Sequence, residues 1–300
     1  MFSYRNLLVV CLLIIVSACQ PAEKPAEPEQ PLFTSTPEAV TTGFRFTEGP
    51  IWHSDGYLLF SDIPGNTIYK WTPGSDSSEV FLTPSGNSNG IKIHPDGSLI
   101  IAQHAGRVSR INADLSLTVL ADSYDGKRIN SPNDVAIHSS GLIYFTDPDF
   151  GVSAEDKELD FSGVYRINPD SSLTVLFNEF SKPNGIVFSP SEEHLYVNDS
   201  TTGQIIRFDV DAAGEVTNPT PFASIGERGQ LGGADGMVVD ASGRLYTTGP
   251  NGLIVFNPDG TENTRIVFEH QITNLAWGGS DGNDLFITSP NAVYRISVNL

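Results

Sequence analysis

The sequence predicts an all-β protein, a six-bladed β-propeller closed by an N-terminal strand that completes the last blade. Three observations carry this: a unit of about forty residues that recurs six times, a fixed strand-and-turn grammar within it, and a spare strand ahead of the first unit. The composition agrees. With 28 Gly and 20 Pro in 300 residues and only 18% of residues charged, the chain suits short strands joined by turns.

The units start near residues 48, 88, 132, 183, 234 and 272. Each opens with an apolar strand and a turn such as HPDG at 94–97 or DASG at 240–243. A second strand follows, such as YLLFSD at 57–62 or LIYFTD at 142–147. A third comes after another turn, such as TIYKW at 67–71 or GVYRI at 163–167. Most units add a fourth, such as SEVFLT at 78–83. Alternating apolar positions between Gly, Asp and Asn turns mark antiparallel strands, and no stretch of the mature domain carries a convincing helical period. Four strands per unit of this length is the pattern of a propeller. The last unit stops after its third strand, AVYRISV at 292–298, and AVTTGFRF at 39–46 supplies the missing fourth. Closure removes the open edges that a solenoid would have to cap.

Ahead of the repeats, Arg5 precedes the apolar run LLVVCLLIIV at 7–16 and then Ser17-Ala18-Cys19. This is the layout of a secretory signal, too short to span a bilayer comfortably. Val16-Ser17-Ala18-Cys19 resembles a bacterial lipobox, so residues 1–18 are expected to be removed and Cys19 lipidated. The Pro- and Glu-rich stretch 19–37 reads as a spacer, and 38–300 as the propeller. The expected location is a membrane-anchored lipoprotein facing the periplasm or the extracellular space. The only other cysteine is Cys11, which leaves the mature chain without a disulfide, thiolate metal site or cysteine nucleophile. A formal charge of −19 argues against nucleic acid as a partner. A monomer is expected.

One position in the repeat concentrates oxygen. Immediately before each first strand stand Glu48, Asn89, Asn133, Asn184, Asp235 and Asn274, separated by 41, 44, 51, 51 and 39 residues. First strands line a propeller's channel, so these six converge on one face around the axis. Asn-Gly and Asp-Gly also occur in ordinary turns, but Glu48 is a poor turn residue. Converging carboxylates call for a positive charge between them. Oxygen donors without His or Cys suit a hard cation, Ca²⁺ first, with Mg²⁺, Mn²⁺ or Zn²⁺ as alternatives. Second strands end on the same face at Asp62, His104, Asp147, Asp199, Gly249 and Ser289. Among these, His104 is a candidate for substrate contact or proton transfer, and Asp147 and Asp199 are either pocket acids or turn caps. His53, His94, His138 and His194 fall in turns at the opposite face, and His270 lies before the sixth unit.

EGP at 48–50, QHAGRVSRI at 103–111, INSPNDV at 129–135, YFTDPDFG at 144–151, KPNGI at 182–186 and ADGM at 234–237 resemble the gluconolactonase/regucalcin family. The resemblance covers nearly all of 39–300. It implies a six-bladed propeller with a central divalent cation held by Glu48, Asn133, Asn184 and Asp235, with Asn89 and Asn274 as neighbours. It also implies a substrate side at His104 and Arg107, and an Arg and an Asn in the third blade. Arg128 matches that Arg, and Asn130 or Asn133 that Asn. The expected reaction is hydrolysis of a sugar lactone or similar cyclic ester, with the cation polarising the carbonyl. Asp235 is the expected base, and Asp134, counted with the substrate-binding residues, the reserve. A promiscuous lactonase or arylesterase is one alternative; a tethered, non-catalytic binding propeller with a structural metal is the other. No G-x-S-x-G elbow occurs.

Overall fold

The structure, a computed structural model, describes Met1, residues 30–229 and residues 231–300. Apart from Met1, the signal segment, Cys19 and the spacer up to residue 29 lie outside the described residues. Every regular element among the described residues is a strand. Six four-stranded antiparallel sheets follow one another along the chain, and together they form a six-bladed β-propeller.

Blade 1 is typical: Thr47–His53, Tyr57–Asp62, Thr67–Trp71 and Glu79–Leu82 pair in chain order. The first strands of blades 2 to 6 are Ser88–Ile93, Val135–Ile137, Pro183–Phe188, Met237–Val239 and Leu275–Gly278. In blade 6 the outermost strand is Glu38–Thr42, which pairs antiparallel with Ala292–Ser297, Glu38 opposite Arg295 and Thr42 opposite Ala292. The ring is thus closed by the N-terminal strand. Inner contacts reinforce the closure: Thr273 Oγ1 donates to the Thr47 carbonyl at 2.7 Å.

The blades hold together by the period of two within each strand. On the second strand of blade 1, Leu58 and Phe60 point to the seam with blade 6, where they meet Trp71, Phe286 and Val293. Leu59, between them, points to the seam with blade 2 and packs with Ile68, Ile91 and Ile101. Six apolar clusters fill six seams in this way. Each fully buried Leu, Ile or Phe contributes about 1.5–3 kcal/mol.

Two details differ from the sequence reading. Residues 32–37, assigned to the spacer, already lie on blade 6: Asn299 N donates to the Leu32 carbonyl at 2.7 Å, and Leu32 and Phe33 join its apolar seam. Composition misses this because only two large apolar residues, Leu32 and Phe33, stand among the prolines. A small hairpin, Ser123–Tyr124 with Lys127–Arg128, stands between blades 2 and 3. Its turn is Asp125-Gly126, both at positive φ (50° and 74°), as a two-residue hairpin requires.

Candidate functional site

All six oxygen-bearing residues of the inner ring are buried, from 1% exposed at Asn89 to 6% at Asp235. Five of them, Asn274 excepted, line a cavity of about 650 Å³ on one face of the propeller. Glu48, Asn89 and Asn184 sit inside their strands, and the register slips just after Glu48 and across Asn89 and Asn184. Such a bulge re-aims a side chain. Asn274 stands immediately ahead of its strand, and Asn133 and Asp235 two residues ahead of theirs.

The glycine after four of these residues has a steric purpose. A side chain at Gly90 would begin 2.7 Å from Asp134 Oδ1, and one at Gly49, Gly185 or Gly236 would overlap Asn89, Asp235 or Asn274. The inner strands approach so closely that backbones bond across blades. Gly90 N donates to the Asn133 carbonyl (2.8 Å) and Gly185 N to the Asp235 carbonyl (3.0 Å). The glycines therefore serve close approach and draw the ring inward. Of the four, only Gly49 has positive φ (51°).

The ring members differ in their hydrogen bonds. Asn274 is committed: its Nδ2 donates to Glu48 Oε2 (2.9 Å) and its Oδ1 accepts from Leu275 N (2.8 Å). Asn89 places Nδ2 3.1 Å from His104 Nε2. Asn184 donates through Nδ2 to Ser200 Oγ (2.9 Å), and its buried Oδ1 has no partner. The Asn133 side chain forms no hydrogen bond among the described residues, although its backbone is fixed at both ends by Thr146 O and Gly90 N. Burial, and then the charge of Asp235, holds the Glu48 carboxyl well above its usual range. Burial likewise pushes Asp235 up to about 7. Two carboxylates so placed repel one another, and unpartnered amide oxygens stand beside them.

These donors fit a hard divalent cation: two carboxylates, amide oxygens and no His or Cys. Among the described residues no three His, Cys, Asp or Glu side chains gather into a metal-sized group. A cation here would rely on Asn133 and Asn184 for half of its protein ligands.

His104 lines the cavity, and burial pushes its imidazole down to about 4, so it is neutral at pH 7. Asp134 does not line the cavity. It is 1% exposed, accepts from Val135 N (2.8 Å), and leaves Oδ2 unpartnered. Burial raises its pKa. Arg128 and Asn130 lie away from the cavity lining as well. Arg128 donates to the carbonyls of Ile129 (3.2 Å) and Asn130 (3.1 Å). Asn130 Nδ2 holds Asp147 and the Phe161 carbonyl, and Asp147 in turn accepts from Asn130 N (2.8 Å). Asp62 and Asp199 are turn caps: Asp62 accepts from Arg45 N and Phe46 N, and Asp199 from Ser181 N and Thr201 N. Arg107 Nε is bound to Gln103 Oε1 (3.0 Å).

The cavity walls include residues that the sequence reading passed over: Phe46, Ile63, Pro64, Phe150, Lys182 and Arg228. A rule of offsets finds several of them. Phe46 and Lys182 stand two residues before Glu48 and Asn184, and Ile63 directly follows Asp62.

Residues 46–291 match the family described as SMP-30/Gluconolactonase/LRE-like region. The chain belongs to that family. It is 35% identical over 295 residues to a gluconolactonase of Zymomonas mobilis, covering 88% of this chain and 82% of that protein. A pentonolactonase of Haloferax volcanii is 28% identical, covering 83% of each. Among solved structures, a gluconolactonase from Xanthomonas campestris superposes with a TM-score of 0.80 at 28% identity, covering 94% of this chain and 99% of that one. Membership agrees with the observed six-bladed propeller.

Proposed function

We propose that the protein is a lactone hydrolase that works with a divalent cation, Ca²⁺ first among the candidates, at the axial ring. The observation that carries this reading is the pairing of two buried, mutually repelling carboxylates, Glu48 and Asp235, with unpartnered amide oxygens at the floor of an open cavity. The gluconolactonase and pentonolactonase relatives supply the reaction class. Glu48, Asn133, Asn184 and Asp235 would hold the cation, which when bound supplies a Lewis acid for the lactone carbonyl oxygen.

The chain's own groups account for the rest. Asp235 takes a proton from water as the water oxygen adds to the carbonyl carbon. The ring C–O bond then breaks and the proton passes to the departing ring oxygen, leaving a hydroxy acid. Glu48 is oriented by Asn274 and Gly49 N, which keeps it facing Asp235. His104, neutral and placed beside Asn89, offers a hydrogen bond to a substrate hydroxyl. Phe46, Ile63 and Phe150 give the substrate's carbon skeleton an apolar wall.

The test is δ-gluconolactone hydrolysis followed by pH-stat, with and without chelator. Turnover that needs added divalent cation and disappears in Glu48→Gln and Asp235→Asn is expected. Full turnover by either variant would sink the proposal. Cation-dependent stability with no hydrolysis of any lactone or ester would instead favour a binding propeller. From the sequence we also infer export and anchoring through a lipid on Cys19; Cys19→Ser should leave the membrane fraction.

A further inference from the structure

The rim of the cavity carries two cations, Lys182 and Arg228, and one acid, Glu227. The chain as a whole is strongly acidic, at −19, which repels anions at long range. Yet Lys182 and Arg228 both line the cavity, on the side formed by blades 4 and 5. Each is held there in its own way.

Lys182 Nζ binds Asp149 Oδ1 at 2.6 Å and stands 4.9 Å above the Phe150 ring. That does not neutralise it. Asp149 is shared, because its Oδ2 binds Lys157 Nζ at 2.9 Å. Two ammonium groups on one carboxylate leave the trio with a net positive charge, and its geometry is fixed before any ligand arrives.

Arg228 has no acid partner among the described residues, whereas Arg110, Arg166, Arg244, Arg265 and Arg295 each have one. Its stem rests against Gly233, where an added Cβ would meet the Arg228 Cβ and Cγ at 2.9 Å. A guanidinium without a partner has its fork of donors free for a carboxylate or a phosphate. Across the ring, blade 1 offers Phe46, Ile63 and Pro64, whose side chains have nothing to give an anion.

We propose that Lys182 and Arg228 form an anion-binding rim, and that the preferred substrate is a lactone bearing a second, negatively charged group. This rests on the lactonase reading and deepens it. The scissile ester lies on the floor against Glu48 and Asp235. The carbon skeleton faces Phe46 and Ile63, and the anion faces Lys182 and Arg228. A carboxylate and a phosphate present the same chemistry to this rim.

Two matched pairs of substrates separate the possibilities. The first is δ-gluconolactone against the same lactone phosphorylated on its primary hydroxyl. The second is γ-gluconolactone against γ-glucarolactone, which adds a carboxylate. The cation-loaded full-length protein should favour the anionic member of at least one pair by about tenfold or more in kcat/KM, residing mainly in KM. The pair with the larger ratio identifies the anion. In Lys182→Gln/Arg228→Gln the ratio should collapse towards one, and in the unaltered protein it should shrink as salt is raised. Hydrolysis of the neutral lactones with no preference for the anionic ones overturns the anion rim and leaves the lactonase reading intact. A preference that survives in the double variant overturns the assignment to these two residues. No hydrolysis of any of the four overturns both.

Discussion

The two faces of this propeller treat the same residue types in opposite ways. On the face away from the cavity, the turns between third and fourth strands read NADLS at 112–116, NPDSS at 168–172 and NPDGT at 257–261. Each Asp there accepts from the Ser or Thr two residues on, through both its backbone N–H and its hydroxyl. Those bonds hold the carboxyls of Asp114, Asp170 and Asp259 below their usual range. On the cavity face, Glu48, Asp134 and Asp235 are buried and raised, and Asp134 Oδ2 and Asn184 Oδ1 have no partner. The turn acids are satisfied by the fold. The axial acids are buried by it with their carboxyls raised, and Asp134 Oδ2 and Asn184 Oδ1 beside them lack a partner, which is the mark of a site awaiting a ligand.

The contrast can be broken at several points. Asp235→Asn should lower kcat by about 10³-fold, within the range of lost general-base catalysis. Asp170→Asn, the matching change in a turn, should leave kcat and KM as they were and lower the melting temperature slightly. Comparable losses of activity in the two would erase the distinction. Next in size is the cation. At a hundredfold excess over its dissociation constant it should stabilise the protein by about 2.7 kcal/mol. A melting curve unchanged by chelator counts against the axial site.

Gly185→Ala comes next. Its methyl group would overlap the Asp235 carbonyl oxygen, so a cost of about 1–3 kcal/mol is expected together with weakened activity. Retention of both would mean that the inner strands need not approach so closely.

The pH dependence of stability is the mildest test. Burial raises the folded-state pKa of Glu48, Asp134, Asp147 and Asp235, the last two to about 7. The folded chain then keeps protons that the unfolded chain releases near pH 4. The stability so gained is complete at low pH and is lost as pH rises through about 7. Chelated protein should melt at progressively lower temperature from about pH 4 to 8, and added cation should flatten that slope. A slope of the opposite sign contradicts the assignment.

The fold was legible because strand alternation and turn chemistry repeat six times, so an error in one unit is corrected by the others. The ring was legible for the same reason: Glu48 breaks a series of Asn-Gly and Asp-Gly pairs that local turn preferences would otherwise explain. Offsets alone did not separate structural from cavity-lining residues on the second-strand ends. Asp62, Gln103 and Asp199 are the equivalent strand ends, paired with Thr47, Ser88 and Pro183; His104 stands one residue further on, as Ile63 and Ser200 do, and those three line the cavity. The deciding interactions come from other segments, such as Ser181 N onto Asp199 and Asn130 onto Asp147. Arg128 illustrates the same limit. Its Nη1 is taken up by backbone carbonyls within two residues, which spacing along the chain does not reveal.

The central claim, that the buried ring of Glu48, Asn133, Asn184 and Asp235 exists to hold one cation, is tested most directly by titration calorimetry of Ca²⁺ into chelator-treated protein. The account predicts saturable binding of a single ion by the unaltered chain and none by Glu48→Gln/Asp235→Asn, with the variant still folded by circular dichroism. Equal binding by both proteins would contradict it.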